Sequence, residues 1–283
     1  DHIGLGKETL YAMLIEYPSI QFGLEQAFLS LKSENGFDLF PSKFSRGKNA
    51  VPINGLIWMG DEQFMKEQIA NKLEEGFTTL KMKIGAIDFK TELNILQGIR
   101  KHYRSTELEL RVDANGAFTK KNALGKLEQL AAFDIHSIEQ PVKAKQWELM
   151  ADLCKVSPIP IALDEELIGL LDPEQKRALL KTIKPQFIIL KPSLIGGFCG
   201  SNEWIALAEE LEIGWWITSA LESNIGLNAI AQFCYTLNND MPQGLGTGSL
   251  FDNNIDSPLH VSKGALHYDP KQKWGNLMDF LSE

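Results

Sequence analysis

Six polar residues, each closing a short β-rich run, recur at nearly one interval, and this interval constrains the fold more than any other feature of the chain. Lys83 to Asp113 is 30 residues, Asp113 to Glu139 is 26, Glu139 to Asp164 is 25, Asp164 to Lys191 is 27 and Lys191 to Ser219 is 28. A βα unit takes roughly 30 residues, so each of these side chains stands at the same place in successive units, the C-terminal end of its strand. Eight strand-like runs can be read: Ile53 to Met59, Thr78 to Ile84, Leu108 to Ala114, Ile135 to Gln140, Ile159 to Asp164, Phe187 to Pro192, Gly214 to Ser219 and Gly244 to Gly246. Amphipathic stretches such as Asp61 to Glu75, Phe89 to Tyr103, Lys120 to Phe133, Pro173 to Thr182, Glu203 to Leu211 and Asn224 to Leu237 lie between them. That alternation predicts an α/β fold with a parallel sheet and crossover helices. Eight such strands can close into a TIM-like barrel, whose strand ends converge on one mouth, and the active site is expected there.

The flanks differ. Residues 1–50 hold an apolar helix-like stretch, Ile20 to Leu31, followed by a polar loop, and residues 250–283 carry turn formers and no further βα unit. Both ends are expected to form a second structure packed against a barrel of residues 51–249.

Composition narrows the function. The chain has 283 residues and 44% hydrophobic content, enough for a barrel-sized core. A net charge of −9 argues against nucleic acid or an anionic membrane as the partner and leaves a small-molecule substrate. Cys154, Cys199 and Cys234 are odd in number and widely spaced, so neither a disulfide framework nor a CxxC metal site is indicated. No apolar run approaches the ~20 residues that span a bilayer, and no basic-then-apolar leader is visible, so a cytoplasmic location is expected. Because the chain starts at Asp1 and enters a helix-like segment at once, an N-terminal portion is expected to be missing. Oligomeric state cannot be read.

Asp113, Glu139 and Asp164 each close a mostly apolar strand, where a lone carboxylate carries a heavy desolvation penalty. Three together would repel one another unless a cation sat between them. Oxygen ligands without His or Cys select a hard ion, and three carboxylates that leave room for substrate fit octahedral Mg²⁺, with Mn²⁺ as a substitute. Lys81 and Lys83, two apart on a strand, point to the same face. A neighbouring ammonium and a divalent cation would both lower the pKa of Lys83 toward that of a general base. Lys191, four units later, is expected across the mouth from Lys83, facing negative charge that develops on a substrate.

Taken together, Lys81-x-Lys83, Asp113-x-Asn115, Glu139-Gln140-Pro141, Asp164-Glu165 and Lys191-Pro192, in this order over about residues 15–250, resemble the muconate-lactonizing subgroup of the enolase superfamily. The resemblance implies a (β/α)7β barrel with remnants of an enolase-type α+β capping domain, whose N-terminal sheet would be absent here. It implies Asp113, Glu139 and Asp164 as Mg²⁺ ligands, Asn115 and Glu165 as residues that hold those ligands, Lys83 as the acid and base, and Lys191 as its cationic counterpart. Within the subgroup the chain is similar to dehydratases of menaquinone biosynthesis. Such a lyase converts 2-succinyl-6-hydroxy-2,4-cyclohexadiene-1-carboxylate to o-succinylbenzoate by proton abstraction α to a carboxylate, through a metal-stabilised enediolate. Ser219 and Ser223, at a helix start, are candidates for the succinyl carboxylate, with N-capping an equal alternative for such serines. Gly197, with Gly196, would let backbone approach the substrate, and turn geometry alone explains these glycines equally well. Glu166 has no assigned role.

An N-acylamino-acid racemase would use both lysines as bases and remains the first alternative. Dipeptide epimerases carry an acidic DxD where this chain reads GLGTGS, and the His/Asp pair of the mandelate racemase subgroup is not visible. A non-catalytic ligand-binding barrel would not be expected to keep every lysine and carboxylate. A Schiff-base aldolase would use a strand-end lysine without needing three carboxylates in phase.

Overall fold

The computed structural model describes residues 2–248 and 250–276. Two helices open the chain, α1 (Lys7–Met13) and α2 (Pro18–Ser30), followed by the short strands β1 (Val51–Pro52) and β2 (Gly55–Ile57). Strand and helix then alternate: α3 (Glu62–Glu74), β3 (Thr79–Lys83), α4 (Phe89–His102), β4 (Glu109–Asp113), α5 (Ala123–Leu130), β5 (Ile135–Glu139) and α6 (Trp147–Val156). The series continues through β6 (Ile161–Leu163), α7 (Pro173–Ile183), β7 (Phe187–Leu190), α8 (Gly197–Glu210), β8 (Gly214–Ile217) and α9 (Asn224–Thr236). It ends in a hairpin of β9 (Leu259–Ser262) and β10 (Ala265–Tyr268).

Strands β2 to β8 form one seven-stranded sheet in sequence order, and the registered pairs from β2 to β7 are all parallel. The parallel sheet with crossover helices expected from the sequence is therefore borne out. Strands buried on both faces read as continuous apolar runs, and Ile161–Leu163 is fully buried. Three helices, α3, α4 and α7, start where an aspartate satisfies a free amide group: Asp61 accepts from Phe64 N at 2.9 Å, Asp88 from Thr91 N at 3.2 Å and Asp172 from Glu174 N at 2.8 Å.

The chain divides into two compact units. One comprises Asn54–Ile189 and Trp204–Trp215, the other Asp1–Ile53, Leu190–Glu203 and Trp216–Glu283. In the first, Leu80, Leu96, Leu127 and Ile138 are wholly buried; each such side chain contributes roughly 1.5–3 kcal/mol by leaving water. In the second, β1 pairs with the β9–β10 hairpin, and Phe44, wholly buried, packs against Tyr235 and Tyr268.

Two expectations are corrected. The run Gly244 to Gly246 forms no strand. Instead Gln243 bridges Ile53 and Gly244 bridges Thr218, both in parallel sense. Gly244 is needed there, since a Cβ would meet Thr218 Oγ1 at 2.0 Å, and glycines weaken a longer strand. Helix α8 starts at Gly197, six residues ahead of the expected Glu203, because its first amides are capped by a residue distant in sequence.

Candidate active site

Lys83, Asp113 and Glu139 stand in one row of the sheet: Lys83 pairs with Asp113 and Asp113 with Glu139 in the parallel ladder. Glu139 is in register with Ala162, so Asp164, two residues further on, has the same strand parity. The three carboxylate residues are almost completely buried, with relative exposures of 0% for Asp113, 2% for Glu139 and 1% for Asp164. Lys83 donates to Asp113 Oδ2 at 2.6 Å and to Asn115 Oδ1 at 2.7 Å. Lys81 lies 3.2 Å from Asp113 Oδ2 and forms a second ion pair with Glu139. Burial works against charge on Lys81, but Glu139 and Asp113 outweigh it and hold its pKa above the ordinary lysine value. Burial likewise works against a charged Asp113, and Lys81 and Lys83 reverse the effect, keeping its carboxyl well below the usual range.

Asn115 joins the row to the next one. Its backbone N–H donates to Asp113 Oδ1 at 2.9 Å and its side-chain amide to Glu165 Oε1 at 2.9 Å. Its φ of 41° is left-handed, a conformation that asparagine tolerates better than most residues.

Gln140 does work that the sequence did not reveal. Its side chain accepts from Asp164 N at 3.2 Å and donates to Val142 O at 2.9 Å, while its carbonyl accepts from Gly116 N. The loops after β4, β5 and β6 are thereby tied together beside the three carboxylates. Gln140 has φ 39° and precedes a proline, a backbone that costs on the order of 1–3 kcal/mol. The only signal for it was its place inside Glu-Gln-Pro. Glu166 also acquires a role: it is buried and accepts from Lys145 N at 2.9 Å, bracing the segment that leads into α6. Arg111, buried on β4 in register with Lys81, is paired with Glu109 at 2.8 Å.

The remaining candidates belong to the other compact unit. Lys191 directly follows β7 and is half-buried. The Ser219 hydroxyl is buried, 2.6 Å from Thr247 Oγ1 and 3.2 Å from Gly244 O. Ser223 is exposed at the N-cap position of α9, yet its side chain makes no capping bond; the Asn224 amide is satisfied by Asn254 at 2.8 Å. At Gly197 the space its missing side chain leaves is filled by the Glu25 carboxylate, 2.1 Å from where a Cβ would sit.

As the side chains stand, no group of three or more His, Cys, Asp or Glu among the described residues is arranged to hold a metal ion. The ammonium groups of Lys81 and Lys83 lie on Asp113 and Glu139 instead. The donor chemistry nevertheless fits a hard divalent cation, being three buried carboxylates in adjacent strands. Glu165 Oε2 beside them is buried without a hydrogen-bond partner, as expected where a further cation is needed.

Residues 65–275 match the family described as "Enolase C-terminal domain-like". The chain belongs to that family. Within it, the chain is 55% identical over 250 residues to o-succinylbenzoate synthase of Desulfotalea psychrophila, covering 88% of this chain and 68% of that one. The crystal structure of MenC from the same organism is similar with a TM-score of 0.83 and 54% identity, over 88% of this chain and 69% of that one. L-Ala-D/L-Glu epimerase of Bacillus subtilis is 30% identical over 62% of this chain, which spans about half (47%) of the epimerase. The resemblance stated from the motifs is borne out, as are the enolase-type barrel class and the lyase class.

Proposed function

We propose that this chain is the catalytic part of a hydro-lyase that dehydrates 2-succinyl-6-hydroxy-2,4-cyclohexadiene-1-carboxylate to o-succinylbenzoate in menaquinone biosynthesis, in the cytoplasm. On this reading residues 51–249 form the barrel and residues 1–50 and 250–276 belong to the capping part; the rest of that C-terminal segment, 277–283, lies outside the described residues. The observation that carries the reading is the row of Lys83, Asp113 and Glu139, in which Lys83 is aimed by Asp113 and Asn115. The 55% identity to a synthase of this reaction supports the substrate.

Lys83 takes the proton from the carbon α to the ring carboxylate. The C–O bond on the same face then breaks, Lys83 returns the proton to the departing hydroxyl, and water leaves with the ring aromatic. Lys191 opposes the negative charge that develops in between and gains a cation–π contact as aromaticity forms. Asp113, Glu139 and Asp164 would hold Mg²⁺, or Mn²⁺ in its place, which when bound supplies positive charge opposite the substrate carboxylate. Lys81 helps keep Asp113 ionised, as such a ligand must be, and pairs with Glu139. Ser223, with its hydroxyl uncommitted to capping, is a candidate for the succinyl carboxylate, and Ser219 lies on the same segment.

A racemase acting on N-acylamino acids is a second reading, supported by 25% identity to N-succinyl-L-Arg/Lys racemase of Bacillus cereus over 77% of this chain and 56% of that one. Mixing the full-length protein with Mg²⁺ and the cyclohexadiene substrate, and following ultraviolet absorbance, tests the proposal. Aromatisation well above the uncatalysed rate is expected; none would overturn it.

A further inference from the structure

The segment that follows Lys191 is pinned by three side chains from the first thirty residues. Ser19 donates to Ser193 O at 2.7 Å and Tyr11 donates to Gly196 O at 2.6 Å. The Glu25 carboxylate, 4% exposed, accepts from the amides of Phe198 and, at 3.1 Å, Cys199, which are orphan donors at the start of α8. A carboxylate at a helix N-terminus is also favoured by the helix dipole. The fit is close enough to demand glycine at 197, where φ is 66° and any Cβ would collide with Glu25 Oε2. Ser193 in turn donates to Glu222 at 2.5 Å, joining this segment to the loop that carries Ser219 and Ser223.

We infer that Glu25, seated against Gly197, is a positioning residue that fixes the backbone of residues 192–199 and through it the ammonium of Lys191. The inference rests on the reading of Lys191 as the cationic counterpart of Lys83. A counter-charge acts in the transition state only if it is already in place. Releasing α8 from Glu25 therefore lowers kcat and leaves substrate binding nearly intact.

The test uses the full-length protein with Mg²⁺ and the cyclohexadiene substrate, in Glu25→Ala, Gly197→Ala, Lys191→Ala and the Glu25→Ala/Lys191→Ala double variant. Gly197→Ala retains the carboxylate but pushes it off the amides, so it serves if Glu25→Ala does not fold. Amide hydrogen exchange at residues 198 and 199 is expected to speed up in both, whatever reaction the enzyme runs. In either variant kcat is expected to fall about tenfold or more with KM within about threefold. In the Lys191→Ala background, Glu25→Ala is expected to cost less than about twofold, because residues acting as a unit are not additive. Unchanged exchange, or an equal loss from Glu25→Ala in both backgrounds, would overturn the inference. A wild type that yields no aromatic product, with exchange altered as expected, would instead overturn the proposed reaction and support the clamp on α8.

Discussion

Lys83 reaches from β3 to β4 and donates to Asp113 at 2.6 Å, the two residues lying side by side in the parallel ladder. The proposed base and a proposed carboxylate ligand are thus held on adjacent paired strands. Rigid elements hold reacting groups more accurately than loops do.

Lys83→Ala is expected to remove proton abstraction, with turnover falling by at least about a thousandfold, within the range that general acid–base catalysis supplies. Lys191→Ala should cripple turnover as well. Neither lysine is a proposed ligand, so both variants should still bind Mg²⁺ by calorimetry. Near-normal turnover in the Lys83 variant would show that the base lies elsewhere.

Asp113→Ala is expected to abolish metal-dependent turnover, and excess chelator should do the same to the unaltered protein, with Mg²⁺ restoring it. Full activity in chelator would contradict the assignment of Asp113, Glu139 and Asp164 as ligands.

Lys81→Met probes the buried charges directly. Lys81 is the ammonium paired with Glu139, which is 2% exposed. Removing one partner of a buried ion pair costs about 3–5 kcal/mol, so chemical denaturation without added metal should show a loss of that order. Unchanged stability would mean that Glu139 is solvated or otherwise neutralised.

His136 faces away from this row, 5.0 Å from the Phe187 ring and 3.0 Å from Ser137 Oγ. Burial lowers its pKa below the ordinary 6.5, with Glu109 opposing the shift and Arg111 adding to it. Below pH 6.5 the unfolded chain therefore takes up a proton before the folded one does, and stability falls as pH drops through that window. His136→Gln should flatten the decline in Tm between pH 7 and pH 5. Parallel declines would exclude this histidine as a source.

Strand ends were legible because one residue type per unit, repeated in phase, survives any error in strand boundaries. The interval alone singles out Lys83, Asp113, Glu139 and Asp164. What escaped the sequence depends on partners far along the chain. Gln140 looks like a spacer until the amide of Asp164 is brought to it, and Glu25 is one acid in an apolar helix until the amides of Phe198 and Cys199 arrive. The early start of α8 follows from the same cause, since Gly197 and Gly200 lower helix propensity and only the distant cap offsets them. The β9–β10 hairpin was hidden by its short strands, of which β9 is mostly exposed and only β10 alternates between buried and half-buried residues.

The claim that the site dehydrates and does not racemise rests on one lysine acting as base and the other as counter-charge. It is tested most directly in heavy water, with the full-length enzyme given an N-succinylamino acid and, separately, the cyclohexadiene substrate. The account predicts o-succinylbenzoate from the second reaction and little deuterium exchange or racemisation in the first. Rapid exchange with racemisation in the first, and no aromatic product in the second, would contradict it.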